Sequence, residues 1–181
     1  MTKPILLRLL AVLFLLVSCS GISREDCISG DWRAIGQRDG QAGYGPERLS
    51  EQARICKAFG VSPDAAAWEK GRREGVRQYC TPQNAYQLGR KGRPISDLCT
   101  ASDKARMASA HAQGLKYHEI SVKILHLQQV IMMNRMDIRE ILGATNGGLT
   151  VDAMLAQSEN FRLEEQIHQL ERERQAYANW P

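Results

Sequence analysis

The C-terminal third of the chain carries apolar residues at alternating steps of three and four positions. These steps run from Tyr117 to Ile141 and return from Leu163 to Tyr177. Heptad spacing of this kind is typical of helices that pack along one seam, and the glycines and asparagine of 143–148 indicate a turn between them. The pattern predicts an antiparallel coiled-coil hairpin over 118–181, in which Asn134 fixes the register at some cost in stability.

The first arm of this hairpin is more apolar than a two-helix seam requires. The additional residues are Val122, Leu125, Val130, Met132, Met133 and Met136. Methionines adapt to varied partners, but a methionine stripe at helical spacing also occurs in ordinary cores. These residues therefore pack either on the globular part of the chain or on another molecule.

Residues 27–117 repeat a short pattern in which an aromatic residue precedes glycines at helical spacing. Copies lie at 31–36, 67–71 and 85–89, and 110–114 resembles a degraded fourth copy. Each set of positions shares one helical face. A glycine inside a helix costs about 1 kcal/mol relative to alanine, so several on one stripe predict helices that cross with their backbones in close contact. Around 40–46 the glycines also suit turns of positive φ.

Helix boundaries support the same architecture. Ser62-Pro63-Asp64 and Thr81-Pro82-Gln83 each place a capping residue before a proline at the first helical position. Gly60 and Gly92 stand where helices would end. No stretch alternates as a strand does. We therefore expect an all-α fold, in which a small disulfide-bonded domain of short glycine-faced helices over 27–117 precedes the hairpin of 118–181.

The N-terminus has the three parts of a secretory signal peptide. Lys3 and Arg8 provide positive charge, an apolar run covers 9–17, and small residues follow. The run is shorter than the roughly 20 residues of a membrane span. Leu16-Val17-Ser18-Cys19 resembles the bacterial lipobox, in which the cysteine is acylated and becomes the new N-terminus. We expect 1–18 to be removed, Cys19 to carry palmitate-type chains, and 19–26 to form a lipidated linker.

Residue 20 bears on the destination of such a lipoprotein. It is serine rather than aspartate. By resemblance to enterobacterial sorting, serine favours the outer membrane with the domain facing the periplasm, although the inner membrane stays open. Export of the chain to the envelope argues against a nucleic-acid partner. Residues 20–117 carry 16 lysines and arginines against 11 acids, and 118–181 carry 6 against 9, so charge gives no reason to expect one either.

Four further cysteines suit an oxidising compartment. Cys27, Cys56, Cys80 and Cys99 are spaced by 29, 24 and 19 residues, without the close pairs that zinc sites use. An even number in an exported domain predicts two disulfides. Three pairings are possible, and neighbour pairing, Cys27 with Cys56 and Cys80 with Cys99, closes the shortest loops. We expect no metal and no cofactor.

The same residues resemble a known family. The order Cys27, Asp31-Trp32, Gly36, Asp39-Gly40, Gly43, Arg48-Leu49, Cys56, Trp68, Gly71-Arg72, Gly75, Tyr79-Cys80-Thr81, Tyr86, Gly89-Arg90, Gly92 and Cys99 is similar to domain-of-unknown-function family 2799, small lipoproteins of Gram-negative bacteria. The resemblance covers about 27–117 and implies architecture and localisation, but no activity. Family members often have a histidine in the segment where this chain has Ser50-Glu51-Gln52-Ala53, and the hairpin lies outside the resemblance.

Catalytic motifs are absent from the sequence. His118-Glu119 lacks the second histidine of HExxH, and neither a Gly-x-Ser-x-Gly elbow nor a P-loop occurs. His111 and His118 share a presumed helix face, Asp31 and Asp39 suit capping or ion pairs as well as an acidic face, and the cluster Arg90-Lys91-Gly92-Arg93 suits an anionic surface or a solvated loop. We therefore expect a protein that is not an enzyme.

Two hypotheses about function follow. The first is an envelope-anchored lipoprotein with a structural or protein-interaction role, whose hairpin binds a partner or a second copy of itself. The alternative is a module that binds or hydrolyses cell-wall glycan, for which Trp32, Trp68 and Tyr86 are the candidate binding residues.

Overall fold

The computed structural model describes residues 21–180. Within that range every regular element is helical, which confirms the all-α class. The α-helices are α1 (Arg24–Ser29), α2 (Trp32–Ala42), α3 (Glu47–Cys56), α4 (Ala65–Tyr79), α5 (Pro82–Arg90), α6 (Ala101–Ala144) and α7 (Val151–Gln175). A short 3₁₀ helix, Lys57–Phe59, follows α3.

Side-chain caps set most helix starts. Asp31 accepts the backbone N–H of Ala34 at the start of α2, and Thr81 does the same for Asn84 ahead of α5. The predicted cap at Ser62 is wrong by two residues. Asp64 accepts the N–H of Ala67 instead, so Pro63 lies before α4 rather than in its first turn.

The described chain divides into two compact units, one ending at Gly75 and the other beginning at Val76. In the first unit, α2 crosses α4 with glycine on both sides. A Cβ added at Gly36 would lie 2.8 Å from the carbonyl carbon of Trp68, and one at Gly71 would lie 2.8 Å from that of Arg33, with each carbonyl oxygen closer still. Neither Gly36 nor Gly71 has room for a side chain, because the backbones of α2 and α4 are in contact at these positions.

The second unit repeats this arrangement between α5 and α6. A Cβ at Gly89 would lie 2.8 Å from the nitrogen of Leu115, and one at Gly114 would lie 2.9 Å from that of Arg90. The first and second copies of the glycine pattern thus pair with each other, and the third pairs with the degraded fourth. The predicted tight crossings are confirmed at the level of the backbone.

Each unit encloses one disulfide in its core. Cys27 and Cys56 pack with Trp32, Ile35 and Trp68 in the first unit. In the second unit, Cys80 and Cys99 pack with Ala85 and Met107. The pairs are those of the neighbour pairing, and each stabilises its unit chiefly by restricting the unfolded chain.

Helices α6 and α7 form an antiparallel hairpin in the second unit. Asn134 Nδ2 donates to Asn160 Oδ1 at 3.0 Å. Gln113, earlier on α6, donates to the carbonyl of Asn179, which follows α7, so the two helices run in opposite directions. The buried seam contains Ile120, Ile124, Ile131, Leu163 and Ile167. The predicted seam residues thus face α7, and Asn134 makes its polar contact there.

The expected domain boundary between Tyr117 and His118 does not exist as a break in the structure. Helix α6 runs unbroken from Ala101 to Ala144, so one helix serves both the glycine crossing with α5 and the seam with α7. The capping box of Thr100 with Asp103 starts it, and no proline or turn interrupts it. The change from glycine stripe to heptads is a change of partner along one helix.

Candidate functional site

The predicted lipidation site, Cys19, lies outside the residues that the structure describes, as do the leader 1–18 and the first two residues of the predicted linker 19–26. Among the described residues, no helix is long and apolar enough to cross a bilayer. The anchoring of this chain therefore stays a prediction from its sequence.

The four remaining cysteines are all consumed by the two disulfides and are buried. The prediction of disulfide bonds is confirmed. Over residues 21–180, no three histidine, cysteine, aspartate or glutamate side chains come close enough together to hold a metal ion. The sulfur atoms lie among apolar side chains, where the disulfides stabilise the two cores.

The three aromatic candidates for glycan binding are core residues instead. Trp32, Trp68 and Tyr86 are 4%, 1% and 1% exposed. Trp68 Nε1 donates to Asp39, and the Tyr86 hydroxyl donates to the carbonyl of Tyr177 at 2.7 Å. Stacking on a sugar needs an exposed ring face, so their proposed binding role is corrected to a structural one. Their spacing ahead of glycines is what places them beside the crossings.

A buried carboxylate stands at the centre of the first unit. Asp39 Oδ2 accepts from Trp68 Nε1 and from Gln52 Nε2, both at 2.8 Å, and its Oδ1 lies 3.8 Å from Arg48 Nε. Arg48 also stacks over the Tyr44 ring at 4.4 Å. These contacts join side chains of α2, α3 and α4, so they hold the three helices together. The sequence suggested an ion-pair role for Asp39, whereas nothing in its spacing indicated Gln52.

The histidine pair and the basic cluster also have structural roles. His111 Nε2 lies 2.7 Å from the carbonyl oxygen of Arg93, and His118 Nδ1 lies 3.3 Å from that of Arg90. The Arg90 guanidinium stacks over Tyr117 at 4.0 Å. Thus His118 faces the carbonyl of the last residue of α5 and His111 faces a carbonyl of the loop after it, so the two histidines do not converge on a common site.

One acid in the described chain has a strongly shifted pKa. The guanidinium of Arg72, and then that of Arg73, lower the pKa of Glu69 to about 2 against the opposing effect of burial. Both arginines lie on the same helix, at distances of 2.7 and 2.8 Å. A carboxylate held ionised by helical neighbours serves as an ion-pair partner, not as an acid that delivers a proton near neutral pH.

The outward side of α6 is the surface that best suits binding. Beyond the end of α5, a stripe of apolar side chains lies on the side away from α7, with between 48% and 56% of each exposed: Val122, Leu125, Met132, Met133 and Met136. They lie roughly 150° around the helix from the seam, at 100° per residue. We name these five residues the outer face of α6. An apolar stripe of this length is unusual on a surface that contacts only water.

Comparison with known proteins places the first part of the chain. Residues 31–116 match the family model described as "Protein of unknown function (DUF2799)". The match begins at the cap of α2 and ends two residues after Gly114, so it contains both glycine crossings and stops before the free length of the hairpin. No curated protein and no solved structure gives a significant match.

Proposed function

We propose that this chain, which belongs to the DUF2799 family through residues 31–116, is a lipid-anchored protein of the bacterial cell envelope that binds a protein partner through its helical hairpin. Cys19 carries the anchor in this proposal, the folded units face the periplasm, and the outer membrane is the favoured site. No catalytic activity is part of the proposal.

Two features support the compartment. The N-terminal sequence ends in a lipobox-like segment, and several acyl chains hold a soluble domain on a bilayer without a spanning helix. Each disulfide lies buried in the core of its unit. Such bonds persist in the periplasm rather than in the reducing cytosol.

The single observation that carries the binding role is the outer face of α6. Its side chains are half exposed although their positions repeat with helical spacing over four turns. Helices that present such a stripe bind other helices or hydrophobic grooves by their apolar face. Three of the five residues are methionines, whose flexible side chains fit a partner surface without precise complementarity.

Site-specific photo-crosslinking in cells tests this role. A photoreactive amino acid replaces Met132 on the outer face in one strain and Gln166, an exposed position of α7, in the control strain. We expect a discrete crosslinked species from position 132 that is absent from position 166. Its mass separates a second copy of this chain from a different protein.

A paired substitution provides the matched control. Met132→Ser with Met136→Ser removes apolar surface without touching the buried seam, so the fold and the disulfides should be unchanged. The crosslink from a probe at Leu125 should then disappear. Equal crosslinking at positions 132 and 166, or no loss in the paired variant, would contradict the proposed binding face.

A further inference from the structure

The tip of the hairpin differs from the rest of the surface in its lack of charge. From Ile141 to Ser158 the chain contains one ionisable side chain, Asp152. Charged residues resume on both arms, with Arg139 and Glu140 on α6 and Glu159 on α7. At 1.5 Å per helical residue, the uncharged cap is about 8 Å deep along α6 and about 13 Å deep along α7. We name residues 141–158 the tip.

Large apolar side chains project from this tip into solvent. Leu149, Val151 and Leu155 are 56%, 66% and 64% exposed, and Met154 is exposed beside them. Ala153 is the residue of this turn that faces α6. At 100° per residue, Val151 and Leu155 lie about 160° away from Ala153, and Met154 lies about 100° away. Val151, Met154 and Leu155 therefore share the side of α7 that points away from α6, within an arc of about 100°, and Leu149 adds to this apolar surface from the turn.

The turn pairs several of its own backbone polar groups. The N–H of Gly147 donates to the Leu142 carbonyl at 2.8 Å, and the N–H of Gly148 donates to the Thr145 carbonyl at 3.1 Å. The Thr145 hydroxyl donates to the Gly148 carbonyl at 2.6 Å. Gly147 adopts a φ of 87°, which closes the turn within a few residues. Internal pairing of this kind is what a lipid environment demands of a non-helical segment.

From these three observations we propose that the tip, residues 141–158, inserts into the interfacial layer of a lipid bilayer. A bilayer suits this end of the hairpin because the large exposed side chains are apolar and because both arms lack charge, Asp152 excepted, up to Glu140 and Glu159. Interfacial insertion reaches about 5–10 Å, close to the depth at which charge resumes on α6. This membrane contact goes beyond the partner binding proposed for the outer face of α6, because it uses different residues.

The ring of charges limits the depth. Arg139, Glu140, Glu159 and Arg162 follow the tip on the two arms, and their hydration would hold the hairpin at the headgroup level. Asp152, in the first turn of α7, is the one group in the tip that opposes insertion. A single reversible contact of this size is weak alone and gains strength beside a covalent anchor, since stable attachment takes two signals.

Vesicle sedimentation tests insertion without the lipid anchor. The probe is the oxidised chain from Ser20 onward, which retains every described residue, with phosphatidylcholine vesicles at 0.15 M salt, so that neither acyl chains nor lipid charge contribute. We expect vesicle binding that falls at least tenfold in Leu155→Glu and in Val151→Glu. Asp152→Asn should bind severalfold more tightly than the wild type. Gln166→Glu, at an exposed position of α7 outside both proposed surfaces, is the matched control and should bind as the wild type does.

Each alternative outcome overturns the proposal. Absence of wild-type binding to these vesicles does so directly. Equal binding by Leu155→Glu and the wild type would show that another surface contacts lipid. Loss of the crosslinked partner in Leu155→Glu, with vesicle binding unchanged, would identify the tip as a protein-binding site. Because the variant residues are exposed, circular dichroism should show unchanged helix content. Failure of the paired variant Met132→Ser with Met136→Ser to affect crosslinking would concern only the partner-binding role.

Discussion

Replacing Gly71 by alanine should destabilise the first unit, although alanine is the better helix former. An added Cβ would lie 2.8 Å from the carbonyl carbon of Arg33 and 2.9 Å from the nitrogen of Gln37, both on the opposite backbone. Favourable carbon contacts lie at about 3.5–4.0 Å, so α2 and α4 must separate by roughly 1 Å. No rotamer change can relieve this clash, because backbone atoms form the obstacle.

The magnitude follows from two opposing effects. Overpacking costs about 1–3 kcal/mol, and a backbone obstacle places Gly71→Ala at the upper end of that range or beyond. Alanine returns about 1 kcal/mol through helix propensity. The net result should be a loss of about 2 kcal/mol in the free energy of unfolding, which lowers the Tm by roughly 10 °C for a unit of this size.

Gly143→Ala is the matched control. Gly143 lies inside α6, and an added Cβ would meet nothing within 4 Å, so only the propensity gain remains. We expect this variant to be stabilised by up to about 1 kcal/mol. Urea unfolding measures both variants: tryptophan fluorescence follows Gly71→Ala, since Trp32 and Trp68 lie in the core of the first unit, and circular dichroism of helix content follows Gly143→Ala in the second unit. If Gly71→Ala were as stable as the wild type, the close backbone crossing would be refuted.

Three further predictions concern other interactions. The double variant Cys27→Ser/Cys56→Ser should lose about 3–4 kcal/mol of unfolding free energy, measured by urea denaturation beside the untreated and the reduced wild type; a loss below about 1 kcal/mol would deny the bond a stabilising role. Asn134→Leu should cost about 1–2 kcal/mol because it leaves the buried Asn160 amide without its partner, whereas Asn134→Leu/Asn160→Leu should be neutral or stabilising; equal costs for the two variants would argue against a paired contact. Glu69 has a folded pKa of about 2, below its unfolded value of 4.5, so its stabilisation is present above pH 4.5 and disappears as the pH falls towards 2. The difference in unfolding free energy between wild type and Glu69→Gln, at most about 1 kcal/mol at this partly exposed site, should therefore close over that interval and not above it, as urea unfolding at each pH would show.

Periodic features could be predicted from the sequence because they report directly on packing. The heptad positions of Ile120, Ile124 and Ile131 indicate the buried seam, and the glycine steps at Gly36 and Gly71 indicate a close crossing. In both cases, a repeat along one helix face has one physical explanation. Loop length favoured the neighbour pairing of the cysteines but left the other two pairings open, and the structure shows that pairing.

Other features depend on which element meets which, and spacing does not carry that information. Trp68 is of a residue type that often binds ligands. Here its indole N–H donates to Asp39 on α2, and Gln52 on α3 donates to the same carboxylate oxygen. The unbroken course of α6 was missed because Gly114 and the heptads that follow suggest two elements. Only the structure shows that one helix changes partners there.

The two proposed binding surfaces could be predicted from the sequence only in part. An excess of apolar residues on the first arm is visible in the sequence, but whether Met132 is buried depends on the position of every neighbouring helix. The tip is harder to recognise, because its lack of charge matters only once the structure shows Val151 and Leu155 exposed at the end of a hairpin.

The measurement that most directly tests the proposed anchor and compartment is the intact mass of the protein extracted from membranes, before and after reduction and alkylation. We expect a chain that begins at Cys19 and carries diacyl or triacyl mass, with four alkylated thiols appearing only after reduction. An unlipidated chain, or thiols that react before reduction, would contradict the proposed anchor and compartment.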